Sequence, residues 1–231
     1  MKVAVCYSGF MRTFPKAFDN HYNMLLKNYD CDLYFSFWDV WGNGSLWKHD
    51  YTDSDVVTDD DKKQILELYK PKEYEFESQT EFGRILDEML KNNVREFPYC
   101  SNILSMHYKI NKVVNMVDKS GVDYDIVLRI RTDHNFIKPF KFKETKKDIF
   151  YTSTWPVRCN DTGMNDQVAY GDLDTMKKYA GFFDKWDVMN KGRNCCVPEW
   201  MLKEYMDMVG LMAEDDENVD HWILSHDGTL R

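Results

Sequence analysis

The residues best suited to chemistry follow two predicted strands. The first is the apolar run Val3–Tyr7, which is followed by Ser8, Gly9, Arg12 and Thr13. A glycine at a strand end permits close backbone approach to a ligand. Amide groups at the start of the following helix attract phosphate, and an arginine adds a charge-assisted contact to a diphosphate. The alternative is an ordinary turn from strand to helix with Arg12 in solvent.

The second candidate site follows the predicted strand Asp125–Arg131, where Asp133 comes directly after the strand. Side chains alternate along a strand, so Arg129 and Arg131 share one face. A carboxylate at the end of a central strand lies where ligands bind in α/β sheets, and it is suited to holding Mg²⁺ or Mn²⁺. The two arginines are suited to neutralising phosphate.

A structural role is the competing interpretation of the same residues. Buried charges in proteins are usually paired. Arg129 and Arg131 would then form an ion-pair cluster with buried carboxylates such as Asp125 or Asp32.

The elements that must position these residues alternate along the chain. Strands are predicted at Val3–Tyr7, Asp32–Phe37, Lys72–Glu77, Asp125–Arg131, Asp148–Thr152, Gln167–Tyr170 and Val219–Leu224. Helices are predicted at Phe14–Asn28, from Thr58 to Pro71, from Thr80 to Asn92, at Ser101–Lys119, from Leu173 to Trp186, and from Pro198 onward. This order predicts an α/β sandwich with a largely parallel sheet, in a single domain over residues 1–231.

Composition narrows the class of protein. The chain has 231 residues, 43% hydrophobic and 30% charged, which is typical of a soluble globular protein. Its net charge of −9 argues against a protein whose main function is to bind nucleic acid. No stretch reaches the roughly 20 apolar residues of a membrane helix, and no signal peptide is expected. Six cysteines without a CxxC pair favour reduced thiols and a cytoplasmic location.

Three stretches taken together resemble a known family. They are SGFMRTF after the first strand, YDIVLRIRTDHNF after a long helix, and MNDQVAYGDLDTMKKYA further on. In order and spacing they resemble glycosyltransferase-like proteins of the GT-A fold, many of them bacterial or viral, over Met1 to about Met208. The resemblance implies a three-layer α/β/α sandwich with a mixed, mostly parallel sheet. It also implies transfer of a sugar from a nucleoside-diphosphate sugar to a hydroxyl of a glycan or other acceptor.

The resemblance also assigns roles near the diphosphate. In that fold an Asp-x-Asp motif at a strand end holds a metal ion and the diphosphate, and the matching place here is Arg131-Thr132-Asp133. Arg131 replaces the first acid and would stand in for part of the cation's charge. Asp133 would bind Mn²⁺ or Mg²⁺, and His226 would complete the metal shell. The loop Ser8, Gly9, Arg12 and Thr13 would lie by the nucleotide, and Tyr7 would stack on its base.

The third stretch supplies a candidate general base. An inverting transferase needs a group that takes a proton from the acceptor hydroxyl. Asp166 resembles the family's base in placement, and Gln167–Gly171 would lie beside the acceptor. A helix N-cap is the alternative for Asp166, while Asp172 and Asp174 are predicted caps of the next helix. Trp38 and Trp155 are further candidates for stacking on a sugar.

Two other functions compete with this hypothesis. The missing first acid favours a nucleotide-sugar-binding module that is catalytically degenerate. A sulfo- or phosphotransferase would use the SGFMRT loop to cradle phosphate, although the chain has no Gly-x-x-x-x-Gly-Lys pattern.

Overall fold

A computed structural model describes residues 1–42, 56–91, 98–154, 159, 163–190, 197–225 and 228–230, with the backbone alone for 87–91, 98–101 and 190. Its strands are β1 (Lys2–Gly9), β2 (Asp30–Trp38), β3 (Glu73–Glu77), β4 (Ile126–Ile130), β5 (His134–Phe136), β6 (Ile149–Thr152), β7 (Val168–Gly171), β8 (Met212–Asp215) and β9 (His221–Ile223). Its helices are α1 (Phe14–Met24), α2 (Asp59–Tyr69), α3 (Gln79–Lys91), α4 (Pro98–Lys119), α5 (Leu173–Ala180), α6 (Trp186–Asn190) and α7 (Pro198–Val209). Short 3-10 helices cover Leu26–Asn28 and Phe183–Lys185.

Seven strands form the main sheet, in the order β3-β2-β1-β4-β7-β6-β8. The strands β3, β2, β1 and β4 run parallel, and β7 is antiparallel to both of its neighbours. β1, β2 and β4 are neighbours, so their carboxyl ends meet at one edge. The predicted mixed, mostly parallel sheet is confirmed.

Two hydrophobic cores cover the two faces of this sheet. The buried side chains of β1 alternate between them: Val3, Val5 and Tyr7 belong to one core, and Ala4 and Cys6 to the other. Helices α1 and α2 pack on the first core, whereas α3 to α7 contribute to the second. The resulting helix–sheet–helix arrangement confirms the predicted three-layer α/β/α sandwich.

Local capping groups set several helix starts that the sequence predicts. At α2 the hydroxyl of Thr58 accepts a hydrogen bond from the amide of Asp61, whose carboxylate bonds back to the amide of Thr58. At α5 the carboxylate of Asp172 accepts a hydrogen bond from the amide of Thr175 at 2.7 Å. The predicted cap role of Asp172 is therefore confirmed.

The structure differs from the sequence prediction in three strands and one helix. β5 and β8 were not expected, since each is short and β5 lies directly after the charged segment that follows β4. The predicted last strand is β9, but it pairs with β5 in a separate two-stranded sheet. The predicted helix from Leu173 to Trp186 is divided, because α5 ends at Gly181.

Within the described ranges, no helix is both long enough and apolar enough to cross a membrane.

Candidate functional site

A cavity of about 230 Å³ opens at the carboxyl ends of β1, β2 and β4. This is the edge at which α/β sheets usually bind ligands. Its walls come from the loop after β1, the end of β2, the segment after β4, the start of α4 and the turn before β7. The lining residues are Ser8, Gly9, Phe10, Arg12, Trp38, Asn102, Ile103, Ser105, Met106, Arg129, Arg131, Thr132, Asp166 and Pro198.

The loop after β1 has an unusual backbone. Gly9 has φ +100°, and Arg12 has φ 47°, a left-handed conformation that non-glycine residues rarely adopt. Two hydrogen bonds hold this conformation: the amide of Arg12 donates to the carbonyl of Trp41 at 2.8 Å, and Thr132 Oγ1 donates to the carbonyl of Phe10 at 2.7 Å. The loop thereby places the Arg12 side chain in the cavity wall.

Arg129 supplies a buried positive charge at the cavity. Its side chain is 1% exposed, and Nη1 donates a hydrogen bond to the main-chain oxygen of Asp166. Among the described residues, no carboxylate lies within ion-pairing distance of the guanidinium, and none forms a hydrogen bond with Nε. Burial lowers the pKa of the Arg129 guanidinium, because removal from water disfavours the charged form. A buried cation without a carboxylate is costly, so this position favours an anionic ligand.

Arg131 is held in a close ion pair with Asp133. Arg131 Nε lies 3.0 Å from Asp133 Oδ1, and Nη2 lies 2.8 Å from Oδ2, which is a bidentate contact. Arg12 Nη1 lies 3.5 Å from the same Oδ2. Burial alone would raise the pKa of Asp133, but the charges of Arg131 and Arg12 outweigh it and hold this pKa below its usual value.

The carboxylates considered as partners in the sequence lie elsewhere. Asp125 accepts a hydrogen bond from the amide of Lys2, and Asp32 pairs with Lys72 Nζ at 2.7 Å. Neither is paired with Arg129 or Arg131. The ion-pair interpretation therefore fits Arg131, through Asp133, and does not fit Arg129.

Asp166 is the carboxylate among the described lining residues. Its neighbour Asn165 is buried and fixes the turn: Asn165 Nδ2 donates to Ser153 Oγ at 2.9 Å, and Oδ1 accepts from the amide of Gln167 at 2.8 Å. Asp166 precedes strand β7, and the helix that follows is capped by Asp172. The N-cap alternative for Asp166 is therefore wrong, and the residue lines the cavity instead.

The sequence did not predict the wall formed by α4. Asn102, Ser105 and Met106 were assigned to a helix chosen for its apolar stripe, although Asn102 and Ser105 are polar and three residues apart on one face. The hydroxyls of Ser105 and Ser8 are both buried, and neither has a hydrogen-bond partner among the described residues. Buried hydroxyls without partners are suited to bonding with ligand oxygens.

Trp38, a sequence candidate for stacking on a sugar, is buried and is one of the residues that line the cavity. Lys109 Nζ lies 4.2 Å from the centroid of this ring and 2.6 Å from Glu77 Oε2. Burial lowers the pKa of Lys109, whereas the hydrogen bond and charge of Glu77 raise it. The buried lysine therefore packs over the face of the indole ring.

The structure brings seven of the predicted site residues to the cavity: Ser8, Gly9, Arg12, Trp38, Arg129, Arg131 and Asp166. Two of the other predicted residues do not line the cavity. Thr13 is buried and donates a hydrogen bond to the carbonyl of Leu224, and Asp133 is ion-paired with the arginines. His226 and Trp155 lie outside the described residues.

Tyr7 also lies away from the cavity. It is fully buried in the opposite core, 4.8 Å from the Phe14 ring centroid, and its hydroxyl lies 3.2 Å from His21 Nδ1. The expected stacking of Tyr7 on a nucleobase does not fit this position, because adjacent β1 residues face opposite sides of the sheet. Ser8, the next residue, lines the cavity instead.

The described residues do not fit a metal ion centred on Asp133. Both of its carboxylate oxygens accept contacts from guanidinium groups, and these groups would repel a cation. In the described ranges, no group of three or more His, Cys, Asp or Glu side chains is placed to hold a metal ion. His134, next in sequence, is fully buried with its ring 4.1 Å from that of His221.

The sequence matches no family model and no curated protein. Many solved structures match in fold, among them two glycosyltransferases. One is galactosyltransferase LgtC in complex with donor and acceptor sugar analogs, with a TM-score of 0.48 and 10% identity over 92% of this chain and 73% of that one. The other is mouse xyloside xylosyltransferase 1 in its apo form, with a TM-score of 0.44 and 9% identity over 94% of this chain and 85% of that one.

Proposed function

We propose that the protein is a glycosyltransferase that moves a sugar from a nucleoside-diphosphate sugar to a hydroxyl of a glycan or other acceptor. The observation that carries this proposal is the buried guanidinium of Arg129, which lines the cavity and forms no ion pair with a carboxylate in the part of the chain that the structure describes. A diphosphate supplies the missing negative charge. The family resemblance of the sequence motifs supports the same donor.

The cavity would act first on the leaving group. As the bond between the sugar's anomeric carbon and the diphosphate oxygen breaks, negative charge grows on that oxygen. Arg12, Arg129 and Arg131 would stabilise this charge through charge-assisted hydrogen bonds. The hydroxyls of Ser8 and Ser105 would donate to remaining phosphate oxygens.

Asp166 would act on the acceptor. Its carboxylate would take the proton of the acceptor hydroxyl while the hydroxyl oxygen attacks the anomeric carbon. The new glycosidic bond forms as the diphosphate departs with the electrons of the broken bond. The position of Asp166 in the same cavity as the arginines supports this pairing of roles.

The test is a turnover assay with a panel of nucleoside-diphosphate sugars, paired with a binding assay. Asp166→Asn should lower turnover by about 10²–10⁴, the usual contribution of a general base, and leave nucleoside-diphosphate binding within a few fold. Asp174→Asn, an exposed aspartate of α5, is the matched control and should leave both unchanged. Full turnover by Asp166→Asn would remove Asp166 from the mechanism.

A binding module without turnover is the second candidate function. It is favoured by Asp133, which is enclosed by two arginines at the place where the family's motif would present an acid. Tight binding of sugar nucleotides with no turnover of any donor would establish this function. Selective binding of a phosphosulfate donor would instead support a sulfotransferase.

A further inference from the structure

We propose that this cavity binds the donor's diphosphate without a divalent cation, because the guanidinium groups of Arg131 and Arg12, held by Asp133, occupy the cation's place. This inference rests on the proposed function and specifies how its donor is recognised. It reverses the expectation that Asp133 is a metal ligand.

The first support is the geometry of the carboxylate. The Asp133 side chain is 3% exposed, and Arg131 engages both of its oxygens in a bidentate contact at 3.0 and 2.8 Å. Arg12 adds a third contact at 3.5 Å. A metal ion would have to displace a guanidinium from this buried pair, and breaking such a pair is strongly unfavourable.

The second support is the charge balance of the cavity. Arg12, Arg129 and Arg131 bring three positive charges, against the two negative charges of Asp133 and Asp166. The described residues therefore give the cavity a net positive charge before a ligand binds. This charge would attract a diphosphate, whereas an added divalent cation would face like charges within a few ångströms.

The third support is that the arginines are oriented before any ligand arrives. The side chains of Arg131 and Arg12 are 24% and 28% exposed, so each contacts Asp133 on one side and keeps an open surface on the other. The main chain of Asp133 is held in place, because its carbonyl accepts a hydrogen bond from the amide of Leu224 at 2.8 Å. Groups positioned in advance bind with a smaller loss of conformational entropy.

The experiment is a calorimetric titration of the full chain with pyrophosphate, UDP and GDP, in EDTA and separately in excess Mn²⁺. We expect at least one of these probes to bind in EDTA, with a Kd that changes by less than about threefold when Mn²⁺ replaces EDTA. The wild-type result alone decides the matter, so it does not depend on the folding of any variant.

Two substitutions sharpen the result. Arg131→Asp recreates the Asp-x-Asp pattern and should weaken binding in EDTA by tenfold or more. Arg131→Gln, which adds no carboxylate, should also weaken binding in EDTA by tenfold or more. Arg84→Asp makes the same charge change at an exposed position of α3 and should leave Kd unchanged.

The outcomes separate the two proposals. Binding that requires Mn²⁺, with tighter Mn²⁺-dependent binding by Arg131→Asp, overturns the cation-free inference and leaves the proposed function standing. Absence of binding by all three probes in both conditions overturns the diphosphate site itself, and the proposed function with it.

Discussion

Arg129 donates a hydrogen bond to the main-chain oxygen of Asp166, and this contact joins the end of β4 to the turn before β7. The guanidinium that would neutralise a leaving diphosphate therefore also positions the carboxylate that would activate the acceptor. The rest of the guanidinium is buried, and its Nε has no partner among the described residues.

Arg129→Met should weaken the binding of nucleoside diphosphates without lowering the stability of the fold. Replacing a buried, uncompensated charge by an apolar side chain of similar length is often neutral or stabilising. The loss of charge-assisted contacts, worth about 1.5–3 kcal/mol each, should weaken nucleoside-diphosphate binding by roughly 10-fold or more. Thermal unfolding and calorimetric titration of the same preparation would measure both effects.

Arg84→Met provides the control for this substitution, since Arg84 is exposed and outside the cavity. It should change neither unfolding nor binding. If Arg129→Met unfolds the chain, or binds as tightly as the wild type, the guanidinium has a structural role and the site interpretation fails.

Gly9→Ala should affect both stability and ligand binding. Gly9 has φ +100° and no atom within 4 Å of an added Cβ, so the penalty comes from backbone conformation alone. We expect a loss of about 1 kcal/mol in the free energy of unfolding. A shift of the loop would also displace Arg12 and weaken diphosphate binding.

Gly121 offers a matched comparison for Gly9. It has φ +64°, and an added Cβ would also meet nothing within 4 Å, but it lies at the end of α4 away from the cavity. Gly121→Ala should lose similar stability in urea unfolding and keep full affinity for the diphosphate. Equal losses of affinity in the two variants would show that the loop after β1 has no special part in binding.

Buried histidines should make the fold sensitive to acid. Burial lowers the pKa of His21 to about 4, of His107 to about 3 and of His221 to about 4, from 6.5. The unfolded chain therefore binds more protons below pH 6.5. Their stabilising contribution is complete above pH 6.5 and declines as the pH falls toward 4, by roughly 1.4 kcal/mol per pH unit for each histidine.

His107→Gln isolates one of these groups. His107 is fully buried and stacks on Phe182 with a centroid distance of 4.0 Å, outside the hydrogen-bonded cluster around His21. Denaturant unfolding from pH 7 to pH 4 should show a pH slope smaller than that of the wild type by about one proton. An unchanged slope would show that His107 is already accessible to protons in the folded state.

The sequence was sufficient for six of the seven strands of the main sheet, all but β8, and for part of the site. Apolar runs identified β1, β2 and β4, and the alternation of side chains along a strand predicted that Arg129 and Arg131 face the same way. Both line the cavity. The same alternation also predicts that Tyr7 faces the other core, because Tyr7 lies on the same face of β1 as Val3 and Val5.

Other parts of the site depend on three-dimensional contacts that a local sequence pattern does not show. The partner of Asp133 is set by the turn after β4, which brings Arg131 back onto it and admits Arg12 from the loop after β1. No local pattern distinguishes this pairing from an open metal ligand. The α4 wall was missed for a related reason, since an apolar stripe does not show which polar residues beside it face a cavity.

The most direct test of the central claim is a nuclear magnetic resonance titration that follows the Nε–H signals of arginine side chains while UDP or GDP is added. The Arg129 signal, assigned by its loss in Arg129→Met, should move strongly as its Nε acquires a phosphate oxygen, while the Arg84 signal stays in place. Saturable nucleotide binding that leaves the Arg129 signal unmoved would contradict the claim that this guanidinium binds the diphosphate.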